Sequence, residues 1–186
     1  MRRGKRIRDL NFTVFSTNAA SLVHVSKQFS LKRELEITKA AIFTVQETCF
    51  KSKGRFQFKD FTTFEAIQPK ENSGFMIGAH KSFLPVLIVE YNTDFELLVV
   101  EVQVNKKQIR IITGVGPHEN RFEDVRMPFF LALEEEINKA ELEDKSIYIE
   151  IDSNSKLGPE RIPGDKHSMS KNGRILAATL DRKYCK

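Results

Sequence analysis

Tryptophan is absent from the 186 residues, and cysteine occurs only as Cys49 and Cys185. These two thiols lie far apart and match no zinc-ligand spacing, a usage that points to a reducing compartment. The histidines, His24, His80, His118 and His167, form no i, i+4 pair and have no cysteine nearby, which argues against a histidine-based zinc site. His118 and His167 fall in polar loops, where acid–base work or plain solvent exposure are the two readings. No run approaches the ~20 apolar residues of a membrane span, and the basic start is not followed by an apolar run long enough for a signal peptide. An intracellular, soluble protein is therefore expected, a nuclear one included. Internal repeats, low-complexity segments and a linker dividing two domains are all missing. The "GVGP" run lacks the glycine and lysine spacing of a phosphate-cradling loop and reads instead as the end of a strand.

What is present is an ordinary globular composition, 40% hydrophobic and 30% charged, in a length that suits one domain with a sizeable core. The formal charge of +5 and a pI near 9.2 lean toward anionic partners such as nucleic acid. Much of the excess is in "MRRGKRIR", where Arg2, Arg3, Lys5, Arg6 and Arg8 precede the first strand. This segment reads either as a solvated terminus or as a tail that contacts phosphates. Residues 1–10 are accordingly a basic arm and 11–186 a single domain.

Along the domain, "NFTVFSTN" alternates and stops at Asn18, and "AIFTVQET" is a second strand ending at Gln46-Glu47. Between them "SLKRELEITKA" predicts a helix with Ser30 as N-cap and Leu31, Leu35 and Ile37 on a loosely helical spacing. Five β-rich runs follow, from "FTTFEAI" to "KQIRIITGVGP", with separators short enough for hairpins. "NRFEDVRMPFFLALEEEINKA" places Phe122, Val125, Phe129, Leu133 and Ile137 at helical intervals, and Pro128 predicts that this helix starts or bends there. In "SIYIEID" the alternation of Ile147, Ile149 and Ile151 predicts a strand with one buried face. A long polar loop and an amphipathic run end the chain. The order predicts an α+β or α/β layered protein, with two sheets face to face and helices outside.

Polar residues end three of these strands: Asn18, Glu47, and the pair Asp152 and Asn154. Taken singly, each is an ordinary cap or loop former. Taken together they form an oxygen-rich set suited to Mg²⁺ or Mn²⁺, since a hard divalent cation is held by one or two carboxylates with water and phosphate completing its shell. An Asp beside an amide can orient or deprotonate a water, and Asn can donate to a phosphate oxygen without adding negative charge.

In this order the motifs resemble the endonuclease/exonuclease/phosphatase superfamily, the DNase I-like fold, and most of all the apurinic-type endonuclease domains of retrotransposons. "FSTNAASL" is similar to the first strand and its Asn-containing turn, and "IFTVQETCFK" to the Gln-Glu motif. "IRIITGVGPHEN" resembles the strand ending in Tyr-Gly-Pro, and "IYIEIDSNSKLG" the Gly-Asp-Phe-Asn-Ala-x-x-Gly motif. "IPGDKHSMSKNGRILAATL" resembles the segment where an Asn-Gly pair opens a helix. The resemblance implies a four-layer α/β sandwich and divalent-metal-dependent phosphodiester hydrolysis. In that case Glu47 holds the metal, Asp152 and Asn154 are the catalytic pair, and Asn18 is the metal-proximal asparagine.

Three departures accompany the matches. Val115 occupies the catalytic Tyr position, Ile151 and Ser153 replace the Gly and Phe around Asp152, and the sequence stops at Lys186, before the family's terminal Asp-His segment. The expectation is a chain lacking the C-terminal portion of the fold, with low activity if Tyr and His are both lost. Two functions follow: a metal-dependent endonuclease-like phosphodiesterase of retroelement type, or a catalytically inactive nuclease-derived module. Such a module would bind nucleic acid, or a protein partner covering the incomplete sheet.

Overall fold

A computed structural model describes residues 12–52, 54, 57–67, 74–92, 96–104, 106–158, 161–162 and 166–184. The basic arm, with Arg2, Arg3, Lys5, Arg6 and Arg8, lies outside the described residues, as does Cys185. The elements run β1 (Thr13–Asn18), α1 (Val25–Thr38), β2 (Ala40–Gln46), β3 (Phe61–Ala66), β4 (Phe75–His80) and β5 (Leu84–Asn92). They continue as β6 (Leu97–Val104), β7 (Lys107–Val115), α2 (Glu123–Leu142), β8 (Ser146–Asp152) and α3 (Lys171–Tyr184). They form two four-stranded sheets, ordered β1-β2-β4-β3 and β5-β6-β7-β8. Each sheet is mixed: β1 pairs parallel with β2 across α1, β7 pairs parallel with β8 across α2, and the remaining pairs are antiparallel.

The two-residue period of the strands sorts side chains into layers. Ile42, Phe75, Ile77 and Ala79 from the first sheet meet Leu98, Val100, Val102, Ile109 and Ile111 from the second in the central core. The alternate residues Phe43, Val45 and Met76 pack outward with Leu31 and Leu35 of α1. On the other side Leu97, Val99 and Ile112 pack with Phe129, Phe130, Leu133 and Ile137 of α2 and Leu176 of α3. Helix, sheet, sheet and helix pair therefore stack as four layers, because both faces of the central strands carry apolar residues. Ile147, Ile149 and Ile151 of β8 pack together against the α2–α3 layer, as the alternation predicts, while Tyr148 packs against the central core.

The helix starts differ from the sequence reading. Ser30 is not an N-cap: α1 begins at Val25 with His24 as N-cap, and Ser30 Oγ donates to the Ser26 carbonyl from inside the helix, at 3.1 Å. The added turn is held by its own side chains. Lys27 Nζ donates to the carbonyls of Ala19 and Ala20 at 3.0 and 2.7 Å, and Gln28 Nε2 donates to that of Leu22 at 2.7 Å. Ile37 is 62% exposed, so only Leu31 and Leu35 of the expected apolar set are buried. Pro128 does not start α2, which begins at Glu123 with Phe122 as N-cap. Phe122 and Val125 precede the buried stretch and are exposed, whereas Phe129, Leu133 and Ile137 reach the core. Among the described residues no helix is long and apolar enough to cross a membrane.

Candidate active site

Because β1 and β2 are parallel, as are β7 and β8, each pair ends at one rim of its sheet. A single side chain shows that these are the same rim of the sandwich. Gln46, the last residue of β2, is buried and donates through Nε2 to Thr113 Oγ1 at 2.9 Å and to the Glu150 carbonyl at 3.3 Å. Thr113 and Glu150 each precede by two residues the ends of their strands, Val115 and Asp152, which are paired in register. The inward-facing series Ile42–Thr44–Gln46, Ile111–Thr113–Val115 and Tyr148–Glu150–Asp152 bring the last residue of each strand to the inner face.

On the first sheet, Asn18 is paired in register with Gln46, and its Nδ2 donates to Glu47 Oε1 at 2.9 Å. Asn18 Oδ1 accepts the Ala20 N–H at 3.0 Å, so one amide side chain both turns the chain and orients the carboxylate. Beyond the strands, the N–H groups of Ser21 and Leu22 donate to the carbonyls of Glu47 and Thr48 at 2.8 and 2.9 Å. Glu47 itself has φ +54°, a left-handed conformation uncommon for a non-glycine residue. This backbone departure directs the carboxylate away from the strand's alternation and toward Asn18.

On the second sheet, Gly116 N–H donates to the Asp152 carbonyl at 2.6 Å, continuing the β7–β8 pairing by one residue. Asp152 Oδ1 accepts the Asn154 N–H at 3.1 Å, and Asn154 Nδ2 donates to the Gly116 carbonyl at 2.7 Å. Asn154 is left-handed, with φ +46°, which its short polar side chain tolerates. The replacement of Gly and Phe by Ile151 and Ser153 thus leaves a hydrogen-bonded corner, in which the Ser153 and Ser155 hydroxyls also contact each other.

The structure brings Asn18 into direct contact with Glu47, and Asp152 with Asn154, and sets both pairs on one rim. His118 and His167 are exposed loop residues. Among the described residues no group of three or more His, Cys, Asp and Glu forms a metal cage. The donor chemistry nevertheless fits a hard divalent cation held by one or two carboxylates. Glu47 uses Oε1 for Asn18, and Asp152 uses Oδ1 for Asn154; among the described residues the second oxygen of each makes no hydrogen bond.

Sequence reasoning placed an Asn-Gly pair at the start of a helix, as observed, but missed what the residues beneath this rim do. Asn172, fully buried on the first turn of α3, donates through Nδ2 to the carbonyls of Pro117 and Asn154 at 2.7 and 3.2 Å. Its Oδ1 accepts Arg126 from α2 at 3.1 Å. Ser170 caps α3, its Oγ accepting the N–H groups of Gly173 and Lys156, both at 3.0 Å. The Asn-Gly pair at the start of "NGRILAATL" was the available signal, and the structure explains both halves of it. A Cβ on Gly173 would overlap the Lys156 carbonyl oxygen, a backbone atom that cannot rotate aside. Gly173→Ala is therefore expected to cost about 1–3 kcal/mol by overpacking. A urea midpoint equal to that of the parent would show that the loop yields freely.

No protein-family model and no curated protein sequence matches the chain. Solved structures do. The endonuclease domain of TRAS1, a telomere-specific non-LTR retrotransposon, superposes with a TM-score of 0.59 at 16% identity, covering 91% of this chain and 69% of that one. An AP endonuclease from Archaeoglobus fulgidus gives a TM-score of 0.64 at 15% identity, again over 91% and 69%. The fold is DNase I-like. D. rerio TDP2 complexed with single strand DNA product shares it at a TM-score of 0.57 and 14% identity, covering 79% of this chain. The present chain spans 61% of that TDP2 chain. In this DNase I-like sandwich the rim bearing Asn18, Glu47, Asp152 and Asn154 is the one at which both parallel strand pairs end.

Proposed function

We propose that the chain is a divalent-metal-dependent phosphodiesterase of endonuclease type, related in its chemistry to retroelement nucleases. Glu47 holds Mg²⁺ or Mn²⁺ with Asn18 fixing its carboxylate. Asp152 orients the attacking water and accepts its proton, and Asn154 and Asn18 offer amide N–H groups to the phosphate. The metal, when bound, supplies Lewis-acid polarisation of the phosphoryl oxygen. One observation carries this reading: two carboxylates, each hydrogen-bonded to its own Asn system, end parallel strands on a single rim that buried Gln46 ties together. Nucleic acid is the substrate class that the basic arm, through Arg2, Arg3, Lys5, Arg6 and Arg8, is suited to hold by its phosphates.

A second reading has an observation of its own. Val115, in register with Asp152 and half-buried against the central core, offers neither a hydrogen bond nor an ionisable group beside the carboxylate. On that reading the rim is retained by a non-catalytic module. The module binds nucleic acid through the arm, or a protein along the outer side of β8, which pairs only with β7 among the described strands.

Plasmid nicking with Mg²⁺ or Mn²⁺ separates the two. Asp152→Ala is expected to lower the nicking rate by ~10² or more, and equal background in parent and variant would remove the nuclease reading. Retention of DNA that weakens with salt, and falls when residues 1–8 are deleted, would place the contact in the arm.

A further inference from the structure

We infer that Arg126 and Asn172 form a buried positioning relay that sets the Asp152–Asn154 corner, and that Arg126 serves by fixing which way the Asn172 amide faces. The inference rests on the nuclease reading for its catalytic consequence, but its geometric content is independent of that reading.

Arg126 is 5% exposed, on α2, and its NH1 donates to Asn172 Oδ1 at 3.1 Å. Among the described residues no carboxylate lies within ion-pair distance of it, and its Nε is buried without a partner. Among the described residues its side-chain partner is a neutral amide, and a buried guanidinium so paired is unfavourable for stability, because the desolvated charge is not offset by an opposite one. The contrast within the same chain is sharp. Arg110, similarly buried, meets the carboxylates of Glu101, Glu136 and Glu143. Arg126 is therefore placed where packing alone would favour an apolar residue, which is the pattern of a group retained for what it positions.

What it positions follows from the symmetry of an amide. The two ends of an Asn side chain have nearly the same shape, yet one accepts and the other donates. Around Asn172 the surroundings are two carbonyls, those of Pro117 and Asn154, and one cation, Arg126. A cation that can only donate forces Oδ1 toward α2 and therefore Nδ2 toward the two carbonyls. Those carbonyls belong to different loops, one leaving β7 and one leaving β8. Asn172 thus clamps the β7–α2 loop to the β8–α3 loop directly beneath Asn154. Asn154 in turn reaches back to the Gly116 carbonyl at 2.7 Å and places its N–H on Asp152 Oδ1. The closed circuit is Arg126, Asn172, Asn154, Gly116 and Asp152. Neither Arg126 nor Asn172 needs to touch substrate for its loss to move the carboxylate.

Asn172→Asp separates positioning from folding. It keeps the acceptor for Arg126 and gives it the carboxylate that the guanidinium lacks among the described residues, while removing the Nδ2 donor to both carbonyls. The full chain and this variant would be compared by thermal melting, by amide exchange at Gly116 and Asn154, and by plasmid nicking with Mg²⁺ across a substrate series. The expected result is faster exchange at Gly116 and Asn154, with the lost donors lowering the melting temperature and the new ion pair with Arg126 limiting that loss so that the protein stays folded. In nicking, kcat falls about 10–100-fold, the range for removing a partner that orients an active carboxylate, with KM little altered. Arg126→Met should reproduce the faster exchange, and Arg126→Lys, which restores a buried donor, should recover part of it. Exchange and nicking at parental levels in a folded Asn172→Asp protein would overturn the relay. If the parent does not nick, the nuclease reading fails, and the exchange comparison still decides the relay: faster exchange at Gly116 and Asn154 beyond that of the core strands supports it, and parental exchange there overturns it.

Discussion

Arg110→Ala is expected to destabilise the protein by about 3–5 kcal/mol, the range for removing one partner from a buried ion network. Arg110 lies on the helix-facing side of β7, where Nε and NH2 reach Glu101 Oε1 at 2.8 and 2.5 Å. NH1 donates to the carbonyl and carboxylate of Glu136 on α2, at 3.2 and 3.3 Å. Lys145 closes the network on Glu101 Oε2 at 2.6 Å and on Glu143 at 2.5 Å. Without the guanidinium, Glu101 and Glu136 are left as buried carboxylates sharing fewer donors between a sheet and its helix. The network's pH dependence follows. Burial by itself would raise the Glu101 pKa, but the hydrogen bonds from Lys145 and Arg110 outweigh it and hold the carboxyl below its ordinary value of 4.5. A depressed pKa contributes stability that is complete above the unfolded value and is lost as pH falls through the folded one. The gap between parent and Arg110→Ala should therefore narrow on acidification below the ordinary carboxylate range. Urea midpoints measured at neutral pH and at successive acid values would show it. A gap that stayed constant or widened toward acid would mean that Glu101 is not the group the arginine serves.

Phe43→Ala is expected to cost about 3–5 kcal/mol, the usual loss for truncating a buried aromatic ring. Its ring packs against those of Phe58 and Phe61, with centroids 4.8 and 5.2 Å away, and lies across Gly78 on the neighbouring strand, its partner in register. A Cβ on Gly78 would overlap that ring. Gly78→Ala alone should then cost about 1–3 kcal/mol by overpacking. In the Phe43→Ala background the same change should become neutral or favourable, since alanine is preferred to glycine in a strand interior by about 0.5–1 kcal/mol. Chemical denaturation of the four proteins tests this as a cycle. An equal cost in both backgrounds would show that the ring is not what excludes a side chain there.

These two positions also show how much the sequence could tell. The strands were readable because each one alternates between two apolar faces, and the order of motifs carried the sandwich. The start of α1 was not. Ser30 is a good cap in isolation, but Lys27 and Gln28 bind loop carbonyls that only the folded chain presents. Glu101 and Arg110 interrupt apolar strands as solvent-facing residues would, yet α2 covers them, so their pairing depends on a contact distant in sequence. At the rim, Asn18, Glu47, Asp152 and Asn154 were each visible as polar strand ends, and their hydrogen bonds to one another follow the local turn chemistry. Asn172 was visible only as half of an Asn-Gly pair opening a helix, and its pairing with Arg126 was not, because an Arg and an Asn on separate helices have no spacing rule that relates them. The lesson is physical: periodicity encodes which face is buried, and it carries no information about which polar groups meet across layers.

Gln46 has a further consequence, for the register in which the sheets dock. Its amide crosses from one sheet to find Thr113 and the Glu150 carbonyl on the other, at the polar end of the inter-sheet layer. Two sheets held only by Ile, Leu and Val could slide past each other by a residue pair at small loss. Any such slip would bury the Gln46 amide without partners, a penalty of about 1–3 kcal/mol. The two halves of the sandwich, each built around its own strand–helix–strand unit, therefore have one docking register that satisfies that amide. A slipped docking of the two sheets is therefore disfavoured by the cost of that one amide.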